Sequence, residues 1–128
     1  MIAVDSSGWL EFFAEGPFAE EFSELLKRPH EVVTSAISLY EVYKWLKRER
    51  TEQDALHAVA AMKRTLVVEV SEEIALTAGD LSLEFGLAMA DSLILATARR
   101  AGARLYTTDT DFNDVPDVTV YSKKRFRW

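Results

Sequence analysis

The chain contains no cysteine, which excludes disulfides and thiolate metal sites. Its two histidines, His30 and His57, lie far apart without the spacing of a zinc motif, so each reads as a surface histidine. Proline and glycine are scarce, three and five in 128 residues, and nothing resembles a flexible linker, an internal repeat or a low-complexity segment. No apolar run reaches the length of a membrane span, and the first residues lack the charged, apolar, small-residue order of a secretory leader. The expectation is a cytoplasmic chain with no membrane partner. A G-x-S-x-G elbow, a P-loop and a Gly-rich dinucleotide turn are all missing. A phosphatase of the Asp-x-Asp kind needs a second acid at position 7, where the chain has Ser7.

Cationic charge is also in deficit, with 15 Lys and Arg against 21 Asp and Glu and a formal net charge of −6. That argues against generic nucleic-acid binding over the whole surface. It leaves room for a local basic patch beside an acidic pocket that holds a cation. What is present is an ordinary globular composition, 48% hydrophobic and 28% charged, in a length that suits one domain over residues 1–128.

Short apolar strands alternate with helices along the chain. Ile2-Ala3-Val4 predicts a brief buried strand ending at Asp5. Trp9, Leu10, Phe12 and Phe13 predict a first helix stopped near Gly16, and Pro17 suits the first turn of a second. Glu31 to Thr34 reads as the next strand. Ser38-x-x-Glu41 opens a long helix, and Thr51-x-x-Asp54 starts another through Met62. Thr65 to Val70 predicts a third strand, Ser71 to Phe85 a helix ended by Gly86, and Leu87 to Arg100 a further helix. Arg104 to Thr107 and Val118 to Tyr121 complete the strands. This alternation predicts an α/β fold, a mainly parallel sheet covered by helices on both faces.

The helix from Leu87 organises the functional reading. Leu87, Ile94, Leu95, Ala98 and Ala101 share one face, and Asp91 falls on that same apolar stripe, while Ser92, Arg99 and Arg100 fall opposite. A carboxylate facing a core is costly unless compensated. In a parallel α/β sheet ligands gather at the carboxyl ends of the strands. Asp5 ends the first strand, Asp109 follows the fourth, Glu41 lies early in the helix after the second, and Asp91 early in the helix before the fourth. Each has a plainer reading: Asp5 as a helix cap, Glu41 as the partner of Ser38 in a capping box, and Asp109 and Asp111 as turn residues. Together at one rim they would repel. A hard divalent cation such as Mg²⁺ or Mn²⁺, which takes oxygen ligands, removes the repulsion and can activate water against a phosphodiester. Asp5 and Asp91 must then lie within about a dozen ångströms of each other, the reach of a shared hydrated ion.

The ordered motifs resemble the PIN domain, in particular the VapC toxin branch of toxin–antitoxin pairs. They are Ile2-Ala3-Val4-Asp5-Ser6-Ser7, Ser38-Leu39-Tyr40-Glu41-Val42, Ala90-Asp91-Ser92-Leu93-Ile94, and Thr107-Thr108-Asp109-Thr110-Asp111-Phe112. The resemblance runs nearly end to end and implies a three-layer α/β/α sandwich. It also implies Mg- or Mn-dependent cleavage of single-stranded RNA by an activated water, leaving a 5′-phosphate. By resemblance Asp5, Glu41, Asp91 and Asp109 form the acidic, metal-holding set. Asp5 and Asp91 are then the most direct ligands, Thr107 is a supporting polar residue, and Asp111 has a loop-shaping or outer part. A cognate antitoxin and a homodimer are the implied partners.

Two further features stay open at this stage. Lys44, Lys47, Arg48 and Arg50 are either a solvated helix face or phosphate contacts, and the basic, aromatic tail at 123–128 is either an exposed end or an RNA contact. Tyr40, Tyr43, Trp45, Trp9, Phe12 and Phe13 exceed what one small core needs, with Trp45 the first candidate for exposure to a partner. The competing functions are a catalytically silent PIN-like RNA-binding or scaffold module and a receiver-like signalling domain. A receiver needs an Asp at the end of the third strand, where this chain has Val70-Ser71.

Overall fold

In a computed structural model, which describes residues 1–122, the apolar run at the chain start is the centre of the sheet. Strand β1 (Ile2–Val4) pairs on both sides, with β2 (Val32–Ser35) and with β4 (Arg104–Thr107). Strand β3 (Leu66–Val68) extends one side and β5 (Val118–Val120) the other. The order is β3-β2-β1-β4-β5, and every pair is parallel.

An all-parallel sheet has to be covered on both faces, and the pleat of the strands divides the core accordingly. Ala3, Val33 and Leu105 turn to one face and pack against α5 (Glu72–Phe85) and α6 (Met89–Arg100) through Ile74, Leu81, Ile94 and Leu95. Val4 and Val32 turn to the other face. There they meet Trp9 of α1 (Ser6–Phe13), Phe22 of α2 (Ala19–Leu25), Val42 and Leu46 of α3 (Ala36–Glu49), and Met62 of α4 (Glu52–Met62). The result is the three-layer α/β/α sandwich expected from the pattern. No single helix among the described residues is long and apolar enough to cross a membrane.

Local chemistry moves several boundaries. Pro17 stands in the turn before α2 rather than in its first turn, and the turn is held by Glu11, whose Oε1 accepts the Phe18 N–H at 2.7 Å. Helix α3 begins one turn earlier than the Ser-x-x-Glu pattern predicts, because Ser35 caps it by accepting the Ile37 N–H at 3.1 Å. Ser38 is thereby inside the helix, and the capping box does not form. Strand β3 is shorter than 65–70, since its pairing with β2 runs only from Leu66 to Val68. Gly86 ends α5 in the left-handed region at φ 68°, as read.

The topology places the site. From β1 the chain steps to β2 and β3 on one side, then crosses through α5 and α6 to β4 on the other side of β1. The carboxyl ends of β1 and β4 are therefore the point where strand order reverses, the usual position of a ligand crevice in open α/β sheets.

Candidate active site

Asp5 leaves β1 at this reversal point. Its backbone N–H donates to Tyr106 O at 3.0 Å, which extends the β1–β4 ladder to the acid itself. It occupies the N-cap position of α1, yet its side chain caps nothing; the carboxylate points elsewhere. Oδ2 accepts Thr107 Oγ1 at 2.7 Å and Ser7 Oγ at 3.0 Å. The two hydroxyls are themselves oriented, because the Asp109 N–H donates to Thr107 Oγ1 at 2.9 Å and the Thr108 N–H to Ser7 Oγ at 3.0 Å. Burial raises the Asp5 pKa, the hydrogen bonds from Thr107, Ser7 and the Ser6 backbone oppose the rise, and the Glu41 charge adds to it.

Glu41 arrives from the second turn of α3, where Ser6 Oγ donates to its Oε1 at 2.6 Å. Ser6 also lies 3.1 Å from Ser38 Oγ, so the two serines and Glu41 form one buried polar link between α1 and α3. Asp109 follows β4 and uses Oδ1 to accept the Asp111 N–H at 2.9 Å. In all three acids one oxygen is tied to the protein.

Asp91 differs. It is half-buried in the first turn of α6, a helix with no side-chain cap, where unpaired backbone N–H groups favour a negative charge. Its carboxyl pKa is nevertheless pushed up to about 7. Burial is the largest cause, followed by the charges of Asp5, Asp109, Glu41 and Asp111. Carboxylate oxygens of Asp91, Asp109 and Asp111 lie within 4.8 Å of one another. Asp111 is thus closer to the acidic group than a loop-shaping residue needs to be.

The structure brings Asp5, Glu41, Asp91 and Asp109 to one cleft of about 330 Å³, also lined by Ser6, Ser7, Tyr40, Lys44, Trp45 and Arg48. The donor set is all oxygen, and its excess negative charge suits a hard divalent ion. This is also the arrangement the motif order leads one to expect of a PIN domain. The family model for the PIN domain matches residues 2–118.

The chain belongs to the PIN domain family. Among solved structures, this PIN domain is similar to a chain of a toxin–antitoxin complex from Klebsiella pneumoniae, at 26% identity and a TM-score of 0.82 over 96% of this chain and 100% of that one. It also resembles VapC20 of Mycobacterium tuberculosis, described as a sarcin–ricin loop cleaving toxin, at 24% identity, a TM-score of 0.74 and coverage of 91% and 95%. A third likeness is to VapBC-1 of nontypeable Haemophilus influenzae, at 22% identity and a TM-score of 0.68 over 95% and 98%. No curated protein sequence matches the chain.

Sequence reasoning about this PIN domain missed three hydroxyls. Ser6, Ser7 and Ser38 hold Glu41 and Asp5 in place, and the only signal for them is two adjacent serines after the first acid and a third one helical turn before the second. Ser92 is misassigned by the helical stripe: it is buried, with Oγ donating to Met89 O at 2.8 Å. Trp45 is half-buried against the core, and the strongly exposed aromatic is Tyr40. The tail at 123–128 lies outside the described residues.

Proposed function

We propose that this PIN domain is an endoribonuclease that cuts single-stranded RNA with Mg²⁺ or Mn²⁺, and that it is the cytoplasmic toxin of a toxin–antitoxin pair. The observation that carries the reading is Asp91. Its half-buried carboxyl has four acidic neighbours and no hydrogen-bond donor among the causes of its shift, a placement that a nearby positive charge relieves while keeping the carboxylate ionised. A bound divalent ion supplies that charge, lowers the pKa of water and offsets the charge of a phosphate in flight.

Asp5 and Asp91 are the direct ligands in this reading, with Glu41 and Asp109 acting on waters. Thr107 and Ser7 hold Asp5 by Oδ2, and Ser6 holds Glu41 by Oε1, so both carboxylates are set in place at the cleft. Pre-positioned carboxylates of this kind lose little freedom when they engage a ligand. The likeness to a toxin–antitoxin complex supports a protein antitoxin as partner. The family resemblance adds a second copy of the chain, and the exposed Leu76 and Leu83 on α5 offer apolar surface for it.

The test is direct. Purified protein is expected to cut an unstructured RNA with Mn²⁺ and to stop on EDTA addition. Asp5→Asn and Asp91→Asn are expected to abolish cutting while keeping a cooperative thermal melt. Cutting that survives both substitutions defeats the proposal, and RNA binding with no metal-dependent cutting marks a silent module instead.

A further inference from the structure

Helix α3 carries a strip that the acidic group does not use. Tyr40, Lys44 and Arg48 recur every four residues and so lie on one face, with Trp45 beside them, and all four line the same cleft as the acids. The strip continues outward into a shallow apolar hollow framed by Tyr40, Tyr43, Lys44, Lys47 and Arg48. Trp45 and Tyr43 pack partly against the core, but Tyr40, Lys44 and Arg48 are exposed, and Val42 and Leu46 on the opposite face anchor the helix without them.

Its chemistry is specific. Tyr40 is 60% exposed, yet its ring is held: the Lys44 ammonium lies 5.4 Å from the ring centroid and donates to Tyr40 Oη at 3.2 Å. Lys47 repeats the arrangement on Tyr43, at 5.4 Å and 3.3 Å. Lys47 and Arg48 also pair with Glu52 and Glu49, at 3.2 Å and 3.1 Å. Lys44 has no carboxylate partner among the described residues. It stands beside the acidic group and pairs with a tyrosine instead, so its charge stays available to the cleft. A protein of net charge −6 with four acids at its site cannot attract a polyanion through those acids. The attraction has to come from nearby cations, and Lys44 and Arg48 are the cations that line the cleft among the described residues.

We propose that this strip is a binding subsite for single-stranded RNA, in which Tyr40 stacks one base beside the scissile phosphate and Lys44 and Arg48 neutralise the flanking phosphates. The inference rests on the ribonuclease reading above for which phosphate is cut. From Glu41 to Arg48 the helix advances about 10 Å, enough to follow the strand away from the acids. Stacking tolerates any base, so Tyr40 positions the strand without selecting its sequence. The Lys44 and Lys47 ammonium groups, at the hydroxyl ends of the tyrosines, leave the ring faces free and give the apolar hollow a cationic rim, which suits a stacked base with its flanking phosphates.

The experiment measures binding without cutting. A fluorescein-labelled unstructured RNA is titrated with the full chain in EDTA and followed by anisotropy at several salt concentrations. Tyr40→Ala is expected to weaken binding by roughly tenfold, the stacking of one base, with Tyr40→Phe restoring it. On an abasic strand of equal length wild type and Tyr40→Ala are expected to bind alike. Lys44→Gln and Arg48→Gln are each expected to lower the slope of log K against log salt by about 0.7. These side chains are exposed or line an open cleft, and thermal melts check that each variant folds. If Tyr40→Ala binds as wild type and neither cation variant changes the slope, the subsite is refuted, and Mn²⁺-dependent cutting by the same proteins leaves the ribonuclease reading standing. If the variants lose binding while wild type cuts nothing with Mn²⁺, the subsite stands and the ribonuclease reading falls. Variants neutral towards RNA but deaf to an inhibiting protein partner overturn the proposal and give the strip to that partner.

Discussion

Replacing Asp91 by asparagine is expected to stabilise the metal-free protein at neutral and alkaline pH. The Asp91 pKa is raised from 3.8 to about 7 in the native state. Between those values the native protein binds more protons than the unfolded chain, so stability falls as pH rises through about 4 to 7, and the full cost is present above 7. At face value the rise corresponds to about 4 kcal/mol. The carboxyl is only half-buried, and solvent screening brings the figure to about 2 kcal/mol. Asparagine keeps the shape, removes the charge and can donate to a neighbouring carboxylate. For a chain of this length about 2 kcal/mol is roughly 7 °C in Tm. The assay is a set of thermal melts of wild type and Asp91→Asn from pH 4 to 8, in EDTA and with excess Mn²⁺. In EDTA the curves are expected to coincide near pH 4 and to separate by about 7 °C at pH 8, with the variant higher. Mn²⁺ at about a hundred times its Kd is expected to add close to 3 kcal/mol to wild type and far less to the variant. A variant that melts below wild type at pH 8 in EDTA, or gains as much from Mn²⁺, refutes the electrostatic account of the cleft.

Thr107→Val keeps the volume of a buried side chain but removes the hydroxyl that donates to Asp5 Oδ2 and accepts the Asp109 N–H. The expected loss is about 1–3 kcal/mol in melts and a 10–100-fold weaker Mn²⁺ titration, with Thr107→Ser recovering most of both. Gly8→Ala tests the seat of the serines: a Cβ there would lie 2.3 Å from the Phe22 ring and 2.7 Å from Val4 Cγ1, both fully buried. Helix propensity favours alanine by up to about 1 kcal/mol, but overpacking of a sealed core is expected to outweigh it and leave a net loss of about 1–3 kcal/mol, read as a lower melting midpoint.

How much was legible in the sequence depends on the range of the interaction that decides each feature. The alternation of apolar strands with helices needs only local periodicity, and β1, β4, α4 and the Gly86 stop fall where the pattern places them. The position of Asp91 on an apolar stripe is legible for the same reason. Helix α3 is displaced because two serines compete to cap it. Ser35 wins, and Ser38 is drawn into a contact with Ser6 across 32 positions of sequence, which no local rule can register. Ser92 fails differently: the stripe rule treats α6 as covered on one side, but α6 runs between the sheet and α5 and is buried around most of its circumference, as Ile94, Leu95, Ala96, Thr97 and Ala98 all show. Trp45 and Tyr40 are exchanged because aromatic content does not reveal which ring the helix turns outward.

The arrangement of the four acids is costly for a metal-free protein. Three of them are fixed by donors that come from α1, β4 and the loop after it. Amides at the same places would keep the hydrogen-bonded geometry without the repulsion. Nothing in the packing of either core requires a carboxylate at Asp91, whose neighbours on α6 are satisfied by apolar contacts and by the Ser92 and Thr97 bonds to backbone. On the ribonuclease reading proposed above, a divalent ion entering the cleft accounts for the charge at these positions. On that reading, the pinning of one oxygen on each of Asp5, Glu41 and Asp109 suits a coordinated ion, which needs ligands in position, better than a diffuse counterion.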